Sequence, residues 1–422
     1  MRALGIDFGT SNTVAMLAGP DAQRRPLLLD GASAMPSAVY LDPRVGLLVG
    51  RDAQRQARTD PSRFEPSPKR RVDDGTVLLG GVGLPVAQVF AAVLGRVAAE
   101  AARQLGGVPA EVRLTHPARW GGRRRGLLVE AAARAGLRDP RLVAEPVAAA
   151  SYFTAILGAT MPVGRSLAIY DLGGGTFDAT VVVRTPAGFD VLAEDGLPDV
   201  GGVDFDHAIV EHLGRTYAGA DPGAWGRLVN PVDGVRRRAR QLLYDEVRAA
   251  KEMLSRTDAV EVAVPLLEID AHLTRDRFED LIRGQVRRTV RCLARTIAGA
   301  GLAAPELTGI FLVGGSSRIP LVARLIHDEL LVAATVLEQP EMVVAEGVLC
   351  LGSPGPPVPS GPVAPVRPVA GPIAALAPVP GPGSGPVAPG GPAAPDRIRL
   401  AMILVLILVV VLSAVLVALI VV

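Results

Sequence analysis

Hydrophobic and polar positions along the chain follow two periods. Short apolar runs at 2–8, 14–18, 111–115, 166–170, 179–183, 260–264, 266–269 and 308–313 read as buried strands. Longer stretches with a repeat near 3.6 read as helices at 84–105, 123–135, 207–217, 236–255, 274–298 and 321–330. In the first of these, Val86, Val89, Phe90, Val93, Leu94, Val97 and Ala101 share one face. Gly106-Gly107-Val108-Pro109 and Gly136 are helix stops, and Thr274 is a helix cap. At 141–150 a short strand runs into a helix, with Pro146 in the first turn and Glu145 at the start, where capping is as good a reading as chemistry.

Two strand–turn–strand segments repeat one design. The first has Asp7, Gly9 and Thr10-Ser11-Asn12-Thr13 between its strands; the second has Asp171, Gly173-Gly174-Gly175-Thr176 and Asp178. Glycine lets backbone amides approach a phosphate closely, and an aspartate at a strand end suits a hydrated divalent cation. Either segment alone reads equally as a plain glycine-rich hairpin. The pair suggests a duplicated domain with a cleft between related halves, a preferred ligand position. Gly314-Gly315 followed by Ser316-Ser317-Arg318-Ile319-Pro320 opens a helix, an edge suited to a nucleotide through backbone amides and the helix dipole. Arg318 there is fitted to stack on a planar base. Lys69, in the basic turn-rich stretch 61–72, reads by itself as a surface lysine.

Composition adds boundaries. With 422 residues the chain can hold more than one core. Its 47 glycines and 36 prolines, against 4% aromatic residues, indicate a folded body plus a biased segment. A net charge of +2 gives no global signal for nucleic acid, and Arg123-Arg124-Arg125 and Arg236-Arg237-Arg238 read as solvated helix faces. Cys292 and Cys350 offer no disulfide framework or zinc site and fit a reducing compartment, and the histidines show no metal-ligand spacing. The N-terminus reaches Asp7 before any signal-peptide core, so the body is expected in the cytosol. The 15 prolines between 353 and 395 predict a disordered, polyproline-like spacer. The 23 residues 400–422, with Ser413 their one polar side chain, make about 34 Å of helix against a hydrocarbon core of about 30 Å. They predict a single C-terminal transmembrane helix, and Arg397 and Arg399 before it keep the body cytoplasmic.

Taken in order, Gly5-Ile6-Asp7-Phe8-Gly9-Thr10-Ser11-Asn12-Thr13, Ala144-Glu145-Pro146-Val147-Ala148-Ala149-Ala150, Asp171-Leu172-Gly173-Gly174-Gly175-Thr176-Phe177-Asp178, Gly201-Gly202-Val203-Asp204-Phe205-Asp206 and Gly314-Gly315-Ser316-Ser317-Arg318-Ile319-Pro320 resemble the nucleotide-binding domain of the seventy-kilodalton heat-shock chaperones (DnaK type), within the actin-like ATPase superfamily. The resemblance implies an α/β, two-lobed actin-like fold with duplicated ribonuclease-H-like halves over 1–352. Lobe I would take about 1–160 plus a closing segment at about 335–352, and lobe II about 163–334, followed by the linker 353–399 and the span 400–422.

It further implies closure on ATP or ADP with Mg2+. Gly9, Thr10, Ser11 and Asn12 would bind phosphates from the first hairpin and Gly174, Gly175 and Thr176 from the second, with Gly201 and Gly202 also on the nucleotide. Asp7 and Asp171 would hold hydrated magnesium through water. Lys69 matches a lysine beside the γ-phosphate; Glu145 and Asp178 match acidic positions near the attacking water, and Asp171 and Thr176 belong to the same catalytic group. Lys251, Ser255, Gly314, Gly315, Ser316 and Arg318 would clasp adenosine. Arg248, Glu252 and Glu341 depart from the family pattern, the stretch between Lys69 and Leu84 is short, and 353–422 holds no peptide-binding β-sandwich or lid. The expectation is a slow Mg-dependent ATPase tethered to the membrane, with an unidentified protein partner there and no nucleic acid. The alternatives are a non-hydrolysing ATP-dependent scaffold, and partner capture through the Pro-rich tail.

Overall fold

Strands buried on both faces need cover on both sides of their sheet, and two such strands lie at the centre of this fold. The computed structural model describes residues 2–19, 23–159 and 161–351; the expected spacer and membrane span lie outside the described residues. Ala3–Phe8 pairs in parallel with Glu111–His116 and antiparallel with Asn12–Ala18. Ser166–Leu172 does the same with Ile310–Val313 and Phe177–Thr185. The first sheet runs Arg141–Ala144, Glu111–His116, Ala3–Phe8, Asn12–Ala18, Arg24–Pro26, with Ala34–Pro36 also on Asn12–Ala18. The second runs Ala334–Thr335, Ile310–Val313, Ser166–Leu172, Phe177–Thr185, Gly188–Leu197. One strand order therefore occurs twice, each time with an Asp-bearing strand at the middle. The mixed α/β architecture fits an actin-like ATPase fold.

Helices Val86–Leu105 and Gly122–Arg134 cover the first sheet, sharing a core with Leu4, Ile6 and Leu114. Gly202–Tyr217, Gly234–Leu254 and Arg275–Gly299 cover the second, around Tyr170, Phe177 and Leu312. The last helix after each sheet crosses to the other. Glu145–Ala155 packs on the strands of the second sheet and Val343–Cys350 on those of the first. The two helices meet each other where Gly347 lies against Ala148; a Cβ on Gly347 would clash with the Ala148 carbonyl oxygen. Phe153 and Phe311 close this shared core edge to face, with ring centroids 5.2 Å apart.

The structure differs from the sequence reading in several places. Of the run 266–269, residues 266–268 form a turn and only Ile269 belongs to a strand. Pro265 cannot donate to a ladder, and Leu266 and Glu268 take positive φ of 68° and 54°. The second strand of that hairpin is Ile269–Thr274 instead. Leu84 belongs to the strand Val82–Pro85, and the helix begins at Val86. The helix read from 207 begins at Gly202. A small sheet of Gly46–Val49, Val39–Asp42 and Phe64–Glu65, with helix Arg51–Ala57, was not legible because its elements are too short to show a period. Among the described residues, no helix is long and apolar enough to cross a membrane.

Candidate functional site

The site is built where the two hairpin tips meet. Gly174 lies against Ser11 and Gly175 against Thr10, so close that a Cβ on Gly175 would stand 2.5 Å from Thr10 Cγ2. Each tip is fastened from behind. Ser37 donates from its hydroxyl to the Gly9 carbonyl at 2.8 Å and from its amide to Ser11 O at 2.9 Å. At the second tip, the amides of Gly202 and Val203, in the first turn of a helix, donate to Gly173 O and Gly174 O at 3.0 and 2.8 Å. Helix-terminal amides have no partner within the helix, so the helix start anchors the glycine turn.

A cleft of about 1160 Å3 opens above the tips. Asp7, Gly9, Thr10, Ser11, Asn12, Lys69, Glu145, Asp171, Gly174, Thr176, Asp178, Gly202, Lys251, Ser255, Gly314, Gly315, Ser316 and Arg318 all line it, so nearly every residue expected at the site comes together. Gly175 and Gly201, expected on the nucleotide, do not line it. They stack on each other behind the turn: a Cβ on Gly201 would be 2.6 Å from the Gly175 carbonyl carbon. Gly201 is required by close backbone packing, and Gly175 by the Thr10 side chain against it.

Charge is concentrated at the cleft floor. Lys69, only 9% exposed, donates from Nζ to Glu145 Oε1 at 2.8 Å and lies 5.4 Å from the centroid of the Trp120 ring. Burial pushes Glu145 up to about 7 even against the pull of Lys69. Burial opposes the Lys69 ammonium, yet Glu145, Asp7 and Asp171 hold its pKa above the usual lysine value. Asp7 accepts from the Thr115 hydroxyl at 2.8 Å and is raised by burial, with Lys69 and Thr115 opposing. Asp171 is raised well above the usual range by burial, then by the charges of Glu145, Asp178 and Asp7. Asp178 accepts from Arg119 Nε at 2.7 Å and from the Thr176 hydroxyl at 3.2 Å.

Burial raises both Asp7 and Asp171, and a cation beside them would offset the cost of their charge. Among the described residues there is no cluster of three or more His, Cys, Asp or Glu able to ligate a metal. Two carboxylates without further ligands suit magnesium, which keeps much of its water and takes its remaining partners from phosphate. The donor set fits Mg2+ accompanying a nucleotide. Gly314 lets this arrangement form, because a Cβ there would stand 2.6 Å from Asp171 Oδ1.

The opposite wall is held by its own ion pairs. Lys251 sits 2.6 Å from Asp206 Oδ1 and donates to Gly202 O at 2.7 Å, while Arg248 lies 3.8 Å from Asp206 Oδ2. Burial lowers the Lys251 pKa, with Asp206 opposing. Arg318 donates to Glu338 O at 2.6 Å and Glu341 Oε1 at 2.8 Å. The sequence reading missed Ser37, Thr115, Arg119, Trp120 and Asp206. Thr115 and the loop of Arg119 and Trp120 end the strand that pairs in parallel with the Asp7 strand, so the edge they occupy follows from that pairing.

Fold and cleft together define an α/β nucleotide-binding protein of actin-like architecture. The family model for Hsp70 protein matches residues 76–352. The chain belongs to the Hsp70 family. It is also similar to the chaperone protein HscA homolog of Shewanella frigidimarina (strain NCIMB 400), 33% identical over 377 residues, covering 82% of this chain and 57% of that protein. The chain thus spans little more than half the length of that relative.

Proposed function

We propose that the protein binds Mg-ATP between the two hairpin tips and hydrolyses it slowly, as a chaperone-family ATPase. The observation that carries this is the buried Lys69–Glu145 pair on the cleft floor beside Asp171 and Asp178. Thr10, Ser11, Gly174 and Thr176 are positioned to receive the phosphates. Asp7 and Asp171 would hold the Mg2+, which neutralises phosphate charge when bound. Lys69 is kept from wandering by Glu145 and Trp120, so its ammonium is presented toward the terminal phosphate.

Glu145 and Asp178 orient the attacking water. Its oxygen bonds to the γ-phosphorus as the bond from that phosphorus to the bridging oxygen breaks, the electron pair leaving with ADP and the water proton passing to the Glu145 carboxylate. Such catalysis is positioning and electrostatics, without a covalent intermediate. A single-turnover assay tests it: labelled ATP should become ADP and phosphate in the presence of Mg2+, and recovery of intact nucleotide after hours contradicts it.

Intact nucleotide would favour a second reading, a scaffold in which ATP only stabilises a closed form. Its support is that Lys251 and Arg248, on the adenosine side, already serve Asp206. In both readings the apolar sequence 400–422 acts as a membrane tether and the folded body faces the cytoplasm, near an unidentified protein partner. Fractionation of cells expressing the chain with and without 400–422 tests the tether: equal recovery in the soluble fraction contradicts it.

A further inference from the structure

The loop after Glu111–His116 brings a second cation to the cleft floor. We propose that Arg119 is an in-chain arginine for phosphoryl transfer, parked on Asp178 and donating to the terminal phosphate as it leaves ADP. The inference deepens the ATPase reading and rests on it.

One short loop serves both sides of the floor. Trp120, buried, lies beneath the Lys69 ammonium, and the preceding Arg119 spans from the first sheet to Asp178 on the second. Both Arg119 and Asp178 line the cleft together with Lys69, Glu145 and Asp171. Space has been kept for the pair. A Cβ on Gly196 would stand 2.6 Å from the Phe177 carbonyl oxygen, 2.9 Å from Asp178 Oδ1 and 3.0 Å from Arg119 Cζ, so the glycine that this backbone approach requires also leaves the pair uncrowded.

Only Nε of Arg119 is used, at 2.7 Å to Asp178 Oδ1; among the described residues neither terminal nitrogen makes a hydrogen bond. A guanidinium has a planar fork of donors suited to phosphate oxygens and keeps its charge at any working pH. The charge balance also calls for it. Asp7, Glu145, Asp171 and Asp178 line the cleft beside Lys69, with Arg70 and Arg124 the other cations on that side, and a triphosphate adds more negative charge. A cation fixed by one carboxylate and free at its fork can follow the charge that gathers on the phosphoryl oxygens in the transition state.

In that step the water oxygen bonds to phosphorus, the bond to the bridging oxygen breaks with its electron pair going to ADP, and the water proton passes to Glu145. Arg119 changes no bond; it donates hydrogen bonds to the oxygens in flight. It is distinct in kind from Lys69, which a buried partner holds in place.

The test measures single-turnover hydrolysis and nucleotide affinity in the full chain, for the wild type, Arg119→Lys and Arg119→Ala. Binding of Mg-ADP is measured alone and with fluoroaluminate, a mimic of the transferring phosphoryl group. Arg119→Ala should slow hydrolysis by roughly 100-fold with little change in ATP affinity, and should abolish the gain in affinity given by fluoroaluminate. Added guanidinium should restore part of the lost rate. A wild-type gain from fluoroaluminate that persists in Arg119→Ala overturns this inference alone, as does an equal loss of rate and ATP affinity. Wild-type protein that binds Mg-ADP but gains nothing from fluoroaluminate overturns the ATPase reading and this inference together. An Arg119→Lys melting temperature equal to wild type without nucleotide, beside a slowed reaction, separates chemistry from folding.

Discussion

Lys69 and Glu145 form a buried ion pair 2.8 Å long at the meeting point of the two halves, although 76 positions separate them in the chain. Each member needs the other: an unpaired charge at this depth is costly. Replacing Lys69 with Ala should lower turnover about 100-fold or more while ATP affinity falls far less. Parallel measurement of single-turnover rate and nucleotide affinity checks this, and equal loss in both would remove Lys69 from the chemistry.

The pair also sets a pH dependence. Glu145 is pushed up to about 7, so its carboxylate forms across the neutral range. Turnover should rise with pH through about 7, and Glu145→Gln should flatten that rise as well as lower the rate. Stability runs the other way. A carboxyl whose folded pKa exceeds its ordinary value of 4.5 binds more protons folded than unfolded between 4.5 and about 7. Stability is therefore lost as pH rises through that window. The raised Asp7 and Asp171 act in the same sense. Melting temperature of the nucleotide-free protein should fall from pH 5 to pH 7.5, and Mg-ADP should reduce the fall.

Two glycines separate scaffold from binding surface. Gly201→Ala drives a Cβ to within 2.6 Å of the Gly175 carbonyl carbon, whereas a Cβ on Gly315 meets nothing within 4 Å. Gly201→Ala should cost about 1–3 kcal/mol of stability in urea unfolding, the usual range for overpacking. Gly315→Ala should leave stability unchanged and weaken nucleotide binding, since Gly315 lines the cleft.

Much of this site is legible in the sequence because its chemistry is carried by local order: aspartate, glycine, hydroxyl, strand. The two Asp-bearing hairpins and the Gly314 turn announce themselves that way. Arg119 and Trp120 do not, since an arginine ahead of an arginine-rich helix reads as surface. Its contact with Asp178 exists only after Glu111–His116 has paired beside Ala3–Phe8. Glycine identity likewise gives no direction. Gly174 faces the cleft and Gly175 packs against Gly201, a difference that arises from tertiary contacts alone. The turn at 265–268 shows the opposite failure, where the apolar pair Leu266-Leu267 imitates a strand although Pro265 has already ended one.

Asp206 is the hidden support of the cleft wall proposed to hold adenosine. It is 1% exposed and lies within ion-pair distance of Lys251 and Arg248. Asp206→Asn strands a buried ammonium and should cost about 3–5 kcal/mol, the range for breaking a buried pair by removing one partner. Lys251→Met with Asp206→Asn should recover part of that loss. Urea unfolding of the single and double variants checks the coupling; additive losses would contradict it.

The central claim is that the two hairpin tips form one clamp for Mg-ATP. Equilibrium dialysis of the full chain against labelled ATP with Mg2+ tests it most directly, using Asp171→Asn as the comparison. One saturable site below millimolar nucleotide is expected, weakened strongly in Asp171→Asn. No binding by the wild type at millimolar ATP, or equal binding by both proteins, would contradict it.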